Sequence, residues 1–159
     1  MNKTVLDIKD LKLRRSQNFE LDIKKLNLNK TLITCLSGAN GSGKTTLLEI
    51  ICGLISPDSG AVRILGADPF REPQTVKAKI VFVPDDEGWI IPELTAREYF
   101  QLLNSIYRKN DEASDLTLEV DRLAKQLIFN NFDQQLGSLS HGNRKKVQLI
   151  AGMMHSPAL

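Results

Sequence analysis

Gly38-Ala39-Asn40-Gly41-Ser42-Gly43-Lys44-Thr45 is the stretch on which the reading of this chain turns. It fits the pattern G-x-x-x-x-G-K-[ST], which carries meaning between a buried strand and a helix. Before it, Leu32-Ile33-Thr34-Cys35-Leu36 is a nearly continuous apolar run, as expected of a strand buried on both faces. After it, residues 46–54 place Leu47, Leu48, Ile50, Ile51 and Leu54 as a helix would. The residue types have physical reasons. Glycines let backbone N–H groups turn inward and approach phosphate oxygens without a Cβ in the way. The helix start adds unpaired N–H groups and the positive end of its dipole. Lys44 can reach β- and γ-phosphates, and the Thr45 hydroxyl can ligate Mg²⁺. The loop therefore points to a bound nucleoside phosphate at Gly38, Asn40, Gly41, Ser42, Gly43, Lys44, Thr45 and Thr46. The alternative is an accidental glycine turn, which four fixed positions produce in roughly one chain in a few hundred of this length.

Upstream, Val5-Leu6-Asp7-Ile8-Lys9 and Leu11-Lys12-Leu13 alternate like half-buried strands. Arg14-Arg15-Ser16-Gln17-Asn18 reads as a turn. Phe19-Glu20-Leu21-Asp22-Ile23 alternates again, and Leu26-Asn27-Leu28 resumes it in shifted phase. Downstream, Ser56-Pro57-Asp58-Ser59-Gly60 is a turn signal, residues 61–65 a short strand, and Ile80-Val81-Phe82-Val83 a second buried-type strand closed by Pro84. Helices are then expected over 96–107, 116–129 and about 143–154, the first two separated by the polar Lys109-Asn110-Asp111-Glu112-Ala113-Ser114. There is no internal repeat or low-complexity tract.

The bulk numbers exclude several classes. At 159 residues the chain can build a real core. A net charge of +2, from 21 basic and 19 acidic residues, gives no global field for nucleic acid or anionic lipid. No stretch approaches the ~20 apolar residues of a membrane-spanning helix. The start, Met1-Asn2-Lys3-Thr4, lacks the apolar core of a signal peptide. Cys35 and Cys52 have no metal-ligand spacing and sit in apolar runs, so buried reduced thiols in a reducing compartment are expected.

The loop, with its second Thr46 and the following Leu47-Leu48, resembles that of an ABC ATPase. Gly53-Leu54 and then Pro57-Asp58-Ser59-Gly60 resemble that family's continuation. Leu139-Ser140-His141-Gly142-Asn143, with Arg144-Lys145-Lys146 behind it, resembles the ABC signature L-S-G-G-Q. Together these implicate the ATP-binding subunit of an ABC transporter: an α/β fold of the P-loop NTPase class, ABC type, with a strand-rich nucleotide-binding core and an inserted helical subdomain. The implied division is 1–84 for the core, 85–138 for the helical subdomain and 139–159 for the signature and its helix. The implied cofactors are ATP and Mg²⁺. In the family two cassettes pair, as a homo- or heterodimer, and the signature of one caps the γ-phosphate on the other's loop. Ser140 and Gly142 stand at the matching positions, and Ser140 is also a candidate N-cap. Arg144-Lys145-Lys146 is either a solvated helix face or a phosphate-attracting cluster.

The sequence departs from the family at several points. His141 replaces a Gly and Asn143 a Gln. After Pro84 the family often has Gln; here stand Asp85, Asp86 and Glu87. Asp85 can serve as a Mg²⁺ ligand or belong to an acidic turn, and an acid there resembles single-cassette exporter subunits. Pro92-Glu93-Leu94-Thr95-Ala96-Arg97-Glu98 matches the family's lead into the helical subdomain. Trp89, Ile90 and Ile91 precede it, where the family receives a helix of its membrane partner; local packing is the alternative. No aromatic stands near residues 14–16 to stack on adenine, and Phe19, the nearest, is expected to face a core; stacking by Arg is possible in principle. The family's next strand ends in the Walker B Asp and the catalytic Glu, with a switch His later. None of these lies within the 159 residues. The expectation is a cassette cut before that strand, with no complete catalytic set, the Leu32-to-Leu36 strand left with an unpaired edge, and no useful hydrolysis.

The resemblance thus implies a cytoplasmic subunit, peripheral at the inner face of the cell membrane through a transmembrane permease, coupling ATP-driven cassette dimerisation to transport without direct nucleic-acid contact. A soluble ABC ATPase acting on nucleic acid or ribosomes, and a non-functional truncated fragment, are the rival readings.

Overall fold

The computed structural model describes residues 4–16, 19–30, 33–85, 90–107 and 116–159. The expectations for Leu32, Asp86, Glu87, Trp89 and the polar stretch 109–114 lie outside the described residues. The chain divides into two compact units, 1–81 with 158–159 and 82–157.

The first unit is built on a three-stranded antiparallel sheet in the order β2-β1-β3, with β1 at Thr4–Ser16, β2 at Phe19–Asn29 and β3 at Ser59–Ile64. β1 runs through both of its alternating segments, including Arg14 to Ser16, where a turn was expected. Its inward set changes phase, from Leu6 and Ile8 to Leu11 and Leu13, all buried. The change falls at Asp10, whose φ is 47°, beside a register shift against β3 between Lys9 and Lys12. This is a bulge: one extra residue flips which parity faces the core. β2 shifts phase at the same level, since Lys9 pairs with Lys25 and Leu11 with Ile23. Gly60 lies against the bulge; a Cβ there would come within 2.5 Å of the Asp10 carbonyl oxygen.

α1, Lys44–Ile51, packs Leu47, Ile50 and Ile51 against the inward faces of Leu6, Ile8, Val62 and Ile64. It ends before Leu54, at Cys52 and a left-handed Gly53 with φ 70°. A short α2 spans Pro73–Lys77.

Two expected strands do not form among the described residues. In the run 33–36, Ile33 is 104% exposed, Leu36 44% and Cys35 exposed. A strand of this type needs ladder partners and covering layers, and the sheet described here offers neither beside it. The buried-thiol reading of Cys35 therefore fails. Cys52 is half-buried, and burial pushes its thiol up to about 11. In the run 80–83, Ile80 reaches the core, but the only ladder-like contacts are with 158–159. The Val81 N–H donates to the Leu159 carbonyl at 3.0 Å, and the Lys79 carbonyl accepts from the Leu159 N–H at 3.3 Å. That is one step of parallel pairing.

The second unit holds α3 at Ala96–Tyr107, α4 at Leu116–Gln126, a 3-10 turn at Leu136–Ser138 and α5 at His141–Met153. Its core gathers Phe100, Leu123, Phe129, Leu136, Val147 and Ile150. Ile90 joins this core, so local packing holds for it, while Ile91 is 41% exposed. α3 opens on a capping box: the Thr95 N–H and hydroxyl both donate to a Glu98 carboxylate oxygen at 2.8 Å, and the Glu98 N–H donates to Thr95 Oγ1 at 3.2 Å. Before α3, residues 92–96 pair antiparallel with 134–137. The Leu136 N–H donates to the Leu94 carbonyl at 2.8 Å and the Gly137 N–H to the Pro92 carbonyl at 2.9 Å.

Candidate functional site

The candidate site of the first unit is made by backbone conformation before side chains. Gly41 and Gly43 hold φ of 80° and 93°, values that favour glycine over residues with a Cβ. The Ser42 N–H closes a turn on the Ala39 carbonyl at 3.2 Å. A Cβ on Gly38 would come within 2.8 Å of Ser42 Oγ, and one on Gly43 would touch the Phe19 ring at 3.0 Å. Gly43 is the N-cap of α1 and has no side chain to cap it; the first helical bond runs from the Leu47 N–H to the Gly43 carbonyl. The N–H groups at the head of α1 thus have no intrahelical acceptor, and no acidic residue occupies its first turn. That combination favours an anion.

Lys44 Nζ donates to the Gly38 and Ala39 carbonyls, both at 2.8 Å, laying its charge across the loop. Thr45 is exposed and Thr46 is buried. An open hollow of about 400 Å³ is lined by Arg15, Phe19, Asn40, Gly41, Gly43, Lys44, Thr45 and Thr46, within the size range of small-molecule sites. Phe19 is therefore not a core residue: its half-buried ring forms a wall of this hollow. Arg15 forms another part and lies 3.8 Å from Glu49 of α1. The sequence points Phe19 to a core and leaves stacking by Arg open, with no residue named. Residue spacing could not place them, because their nearness to the loop depends on how the end of the β1–β2 hairpin, where Ser16 lies opposite Phe19, packs beside α1.

Ser140, Gly142 and Asp85 belong to the second unit. Ser140 is the N-cap of α5, and its Oγ accepts from the Asn143 N–H at 3.3 Å, so the helix opens at His141, two residues before the expected start. Nothing lies within 4 Å of where a Gly142 Cβ would be, and His141 is exposed. The Asn143 amide donates to Asn131 at 3.3 Å, which donates to Gln134 at 2.9 Å, which donates to the Ser138 carbonyl at 3.3 Å. An Asn at 143 thus serves a local amide chain behind the turn.

The three cations after it all hold backbone oxygens. Arg144 donates to the Leu139 carbonyl at 2.7 Å, Lys145 to the Pro84 carbonyl at 2.8 Å, and Lys146 to the Ile128 carbonyl at 2.9 Å. Lys145 also donates to the Asp85 carbonyl and lies 3.7 Å from its exposed carboxylate. Among the described residues no group of three or more His, Cys, Asp or Glu could hold a metal ion, and no helix is long and apolar enough to cross a membrane.

The family model described as ABC transporter matches residues 21–159. The chain is 28% identical over 133 residues to the ABC transporter ATP-binding protein NatA of Bacillus subtilis (strain 168), covering 83% of this chain and 53% of NatA. It is 27% identical over 162 residues to the zinc import ATP-binding protein ZnuC of Rickettsia conorii, covering 100% of this chain and 61% of ZnuC. The chain thus spans about half of NatA's length. A solved ATP-binding subunit of an ABC transporter shares the fold with a TM-score of 0.83 at 23% identity, over 97% of this chain and 63% of that one.

Proposed function

Because the chain belongs to the ABC transporter family, we propose that it binds ATP–Mg²⁺ at residues 38–46 as the ATP-binding part of a transporter. The observation that carries this is the uncapped start of α1 behind a glycine-built turn, with Lys44 across the loop carbonyls. The hollow fits the nucleotide: it is lined by Gly43, Lys44, Thr45 and Thr46 at the uncapped helix start, with the Lys44 ammonium, and no carboxylate of the described residues lines it. On binding, Lys44 would leave its two carbonyls for the terminal phosphates. Mg²⁺ would arrive with the phosphates as its main ligands, helped by the Thr45 hydroxyl, a hard oxygen donor suited to it; a Mg²⁺ role for Asp85 rests on the resemblance alone. Phe19 and Arg15 are positioned to pack against the nucleoside; both lining the hollow supports this.

The remaining parts of the reading rest on the resemblance. Residues 1–84 serve as nucleotide-binding core, 85–138 as helical subdomain and 139–159 as signature and helix. Ser140 and Gly142 cap the phosphate of a second cassette, and a transmembrane permease holds the subunit at the cytoplasmic face. Direct nucleic-acid binding has no part in this reading. The acid at Asp85 favours an exporter.

The test is competition at the loop. With a fluorescent ATP analogue bound in Mg²⁺, unlabelled ATP should displace it, AMP should do so weakly and adenosine hardly at all. Adenosine competing as well as ATP would refute phosphate-led binding.

A further inference from the structure

We infer that Lys145 is a positioning residue that clamps the Pro84-Asp85 turn to the helix opening at Ser140, so that Asp85 and the Ser140 turn are carried as one piece. An ammonium has three donor positions and no acceptor. Here Nζ faces three oxygens of one turn: the Pro84 carbonyl at 2.8 Å, the Asp85 carbonyl, and Asp85 Oδ1 at 3.7 Å. The partners are 60 and 61 residues apart in sequence, so the contact is tertiary. The Lys145 side chain is 23% exposed, while the Asp85 carboxylate is fully exposed. The backbone of the turn is thus held and its carboxylate projects outward.

The far end of the same stretch is held by the segment that leads into that helix. Residues 92–96 pair with 134–137, which run through the 3-10 turn directly into Leu139 and Ser140. The Ala96 N–H donates to the Gln134 carbonyl at 3.3 Å, and the Arg97 N–H to the Phe132 carbonyl at 2.9 Å. The stretch 84–96 is therefore fastened at both ends to segments that flank Ser140: 134–137 just before it and Lys145 just after. A displacement at either end must reach the Ser140 turn or break one of these fastenings. Only the Mg²⁺ arm of the test below rests on the proposed function of Asp85.

The test uses Lys145→Met, which keeps the stem and removes the donors, Lys145→Arg, which keeps donors, and Asp85→Ala. Hydrogen exchange is followed at the amides of Ala96, Arg97 and Leu136, and the gain in ATP affinity on adding Mg²⁺ is measured in parallel. Lys145→Met should speed exchange at these amides about tenfold, the scale of losing charge-assisted hydrogen bonds, and Lys145→Arg should restore protection. The Mg²⁺ gain should fall in Lys145→Met to the level of Asp85→Ala. If Lys145→Met does not fold, Lys145→Gln replaces it, with a smaller rise in exchange expected. Unchanged exchange at the three amides overturns the clamp. An unchanged Mg²⁺ gain in Asp85→Ala, with faster exchange in Lys145→Met, leaves the clamp standing and removes the metal role of Asp85. A lowered gain in Asp85→Ala with wild-type exchange in Lys145→Met does the reverse.

Discussion

Lys44→Ala removes the only ammonium that lines the loop hollow among the described residues. In the free protein that ammonium makes two hydrogen bonds to carbonyls, at 2.8 Å each, and both acceptors lie at the surface. Water can replace the lysine there, so the fold should lose no more than about 1 kcal/mol. The effect on ligand is larger because the phosphates lose a charge-assisted partner, a contribution of about 1.5–3 kcal/mol. At about 1.4 kcal/mol per decade, the ATP dissociation constant should rise about 10- to 150-fold. AMP presents no β- or γ-phosphate, so its affinity should change less than about threefold on the same scale. Isothermal titration with ATP, ADP and AMP in Mg²⁺ separates the cases, with thermal unfolding as the control for stability. Equal losses for ATP and AMP would refute the terminal-phosphate role of Lys44. A drop in stability of several kcal/mol would show that the lysine's bonds to the loop carbonyls are structural.

Further outcomes follow from other residues. Asp85→Ala should reduce the gain in ATP affinity from Mg²⁺ while leaving Mg²⁺-free binding similar; its ion pair with Lys145 is exposed on the acid side, so little stability is at stake. An iodoacetamide time course at pH 8 should label Cys35 fast and Cys52 slowly, because a thiol pushed up to about 11 is ionised in only roughly one molecule in a thousand; equal rates would contradict the burial of Cys52. Three carboxyls of the second unit are held below their ordinary values: Glu98 by the Thr95 N–H and hydroxyl, Glu119 by Arg122 and Asp133 by Arg97. Depressed values mean stability that is present above the ordinary carboxyl range and lost as pH falls through the folded values. Helical circular dichroism should therefore melt at lower temperature once pH drops below the ordinary 4.5 of Glu98, and a midpoint constant from pH 5 to 3 would count against it. Residues 1–159 alone should release phosphate from ATP no faster than their Lys44→Ala variant, since among the described residues no carboxylate lines the hollow to orient a water.

The parts legible in the sequence are those with local causes. α3 falls on its expected residues because Thr95 and Glu98 form a cap readable as T-x-x-E and the apolar spacing is helical. The loop is legible because its glycines answer to local φ values. α4 stops at Gln126 rather than 129 because Ile128 turns left-handed at φ 53° and the Phe129 N–H reaches back to the Ala124 carbonyl at 2.9 Å. Helix ends of that kind usually announce themselves with Gly, and here the buried Phe129 substitutes tertiary packing for that signal. The runs 33–36 and 80–83 misled for the opposite reason. Their apolar residues specify burial, but a strand exists only if neighbours supply its ladder. Phe19 was misplaced and Arg15 not singled out because their place in the hollow depends on the β1–β2 register and on where α1 packs. Asp10 hid a bulge that only the paired strands reveal, though the shift from even to odd apolar positions was visible.

The most direct test of ATP–Mg²⁺ binding at residues 38–46 is an amide-resolved titration of the isotopically labelled chain. The account predicts that the largest shifts on adding ATP and Mg²⁺ fall on Gly41, Gly43, Lys44, Thr45 and Thr46, with smaller ones at Arg15 and Phe19, and that ATP without Mg²⁺ gives a weaker version of the same pattern. Saturable shifts centred on other residues, with the loop and the head of α1 unmoved, would contradict it.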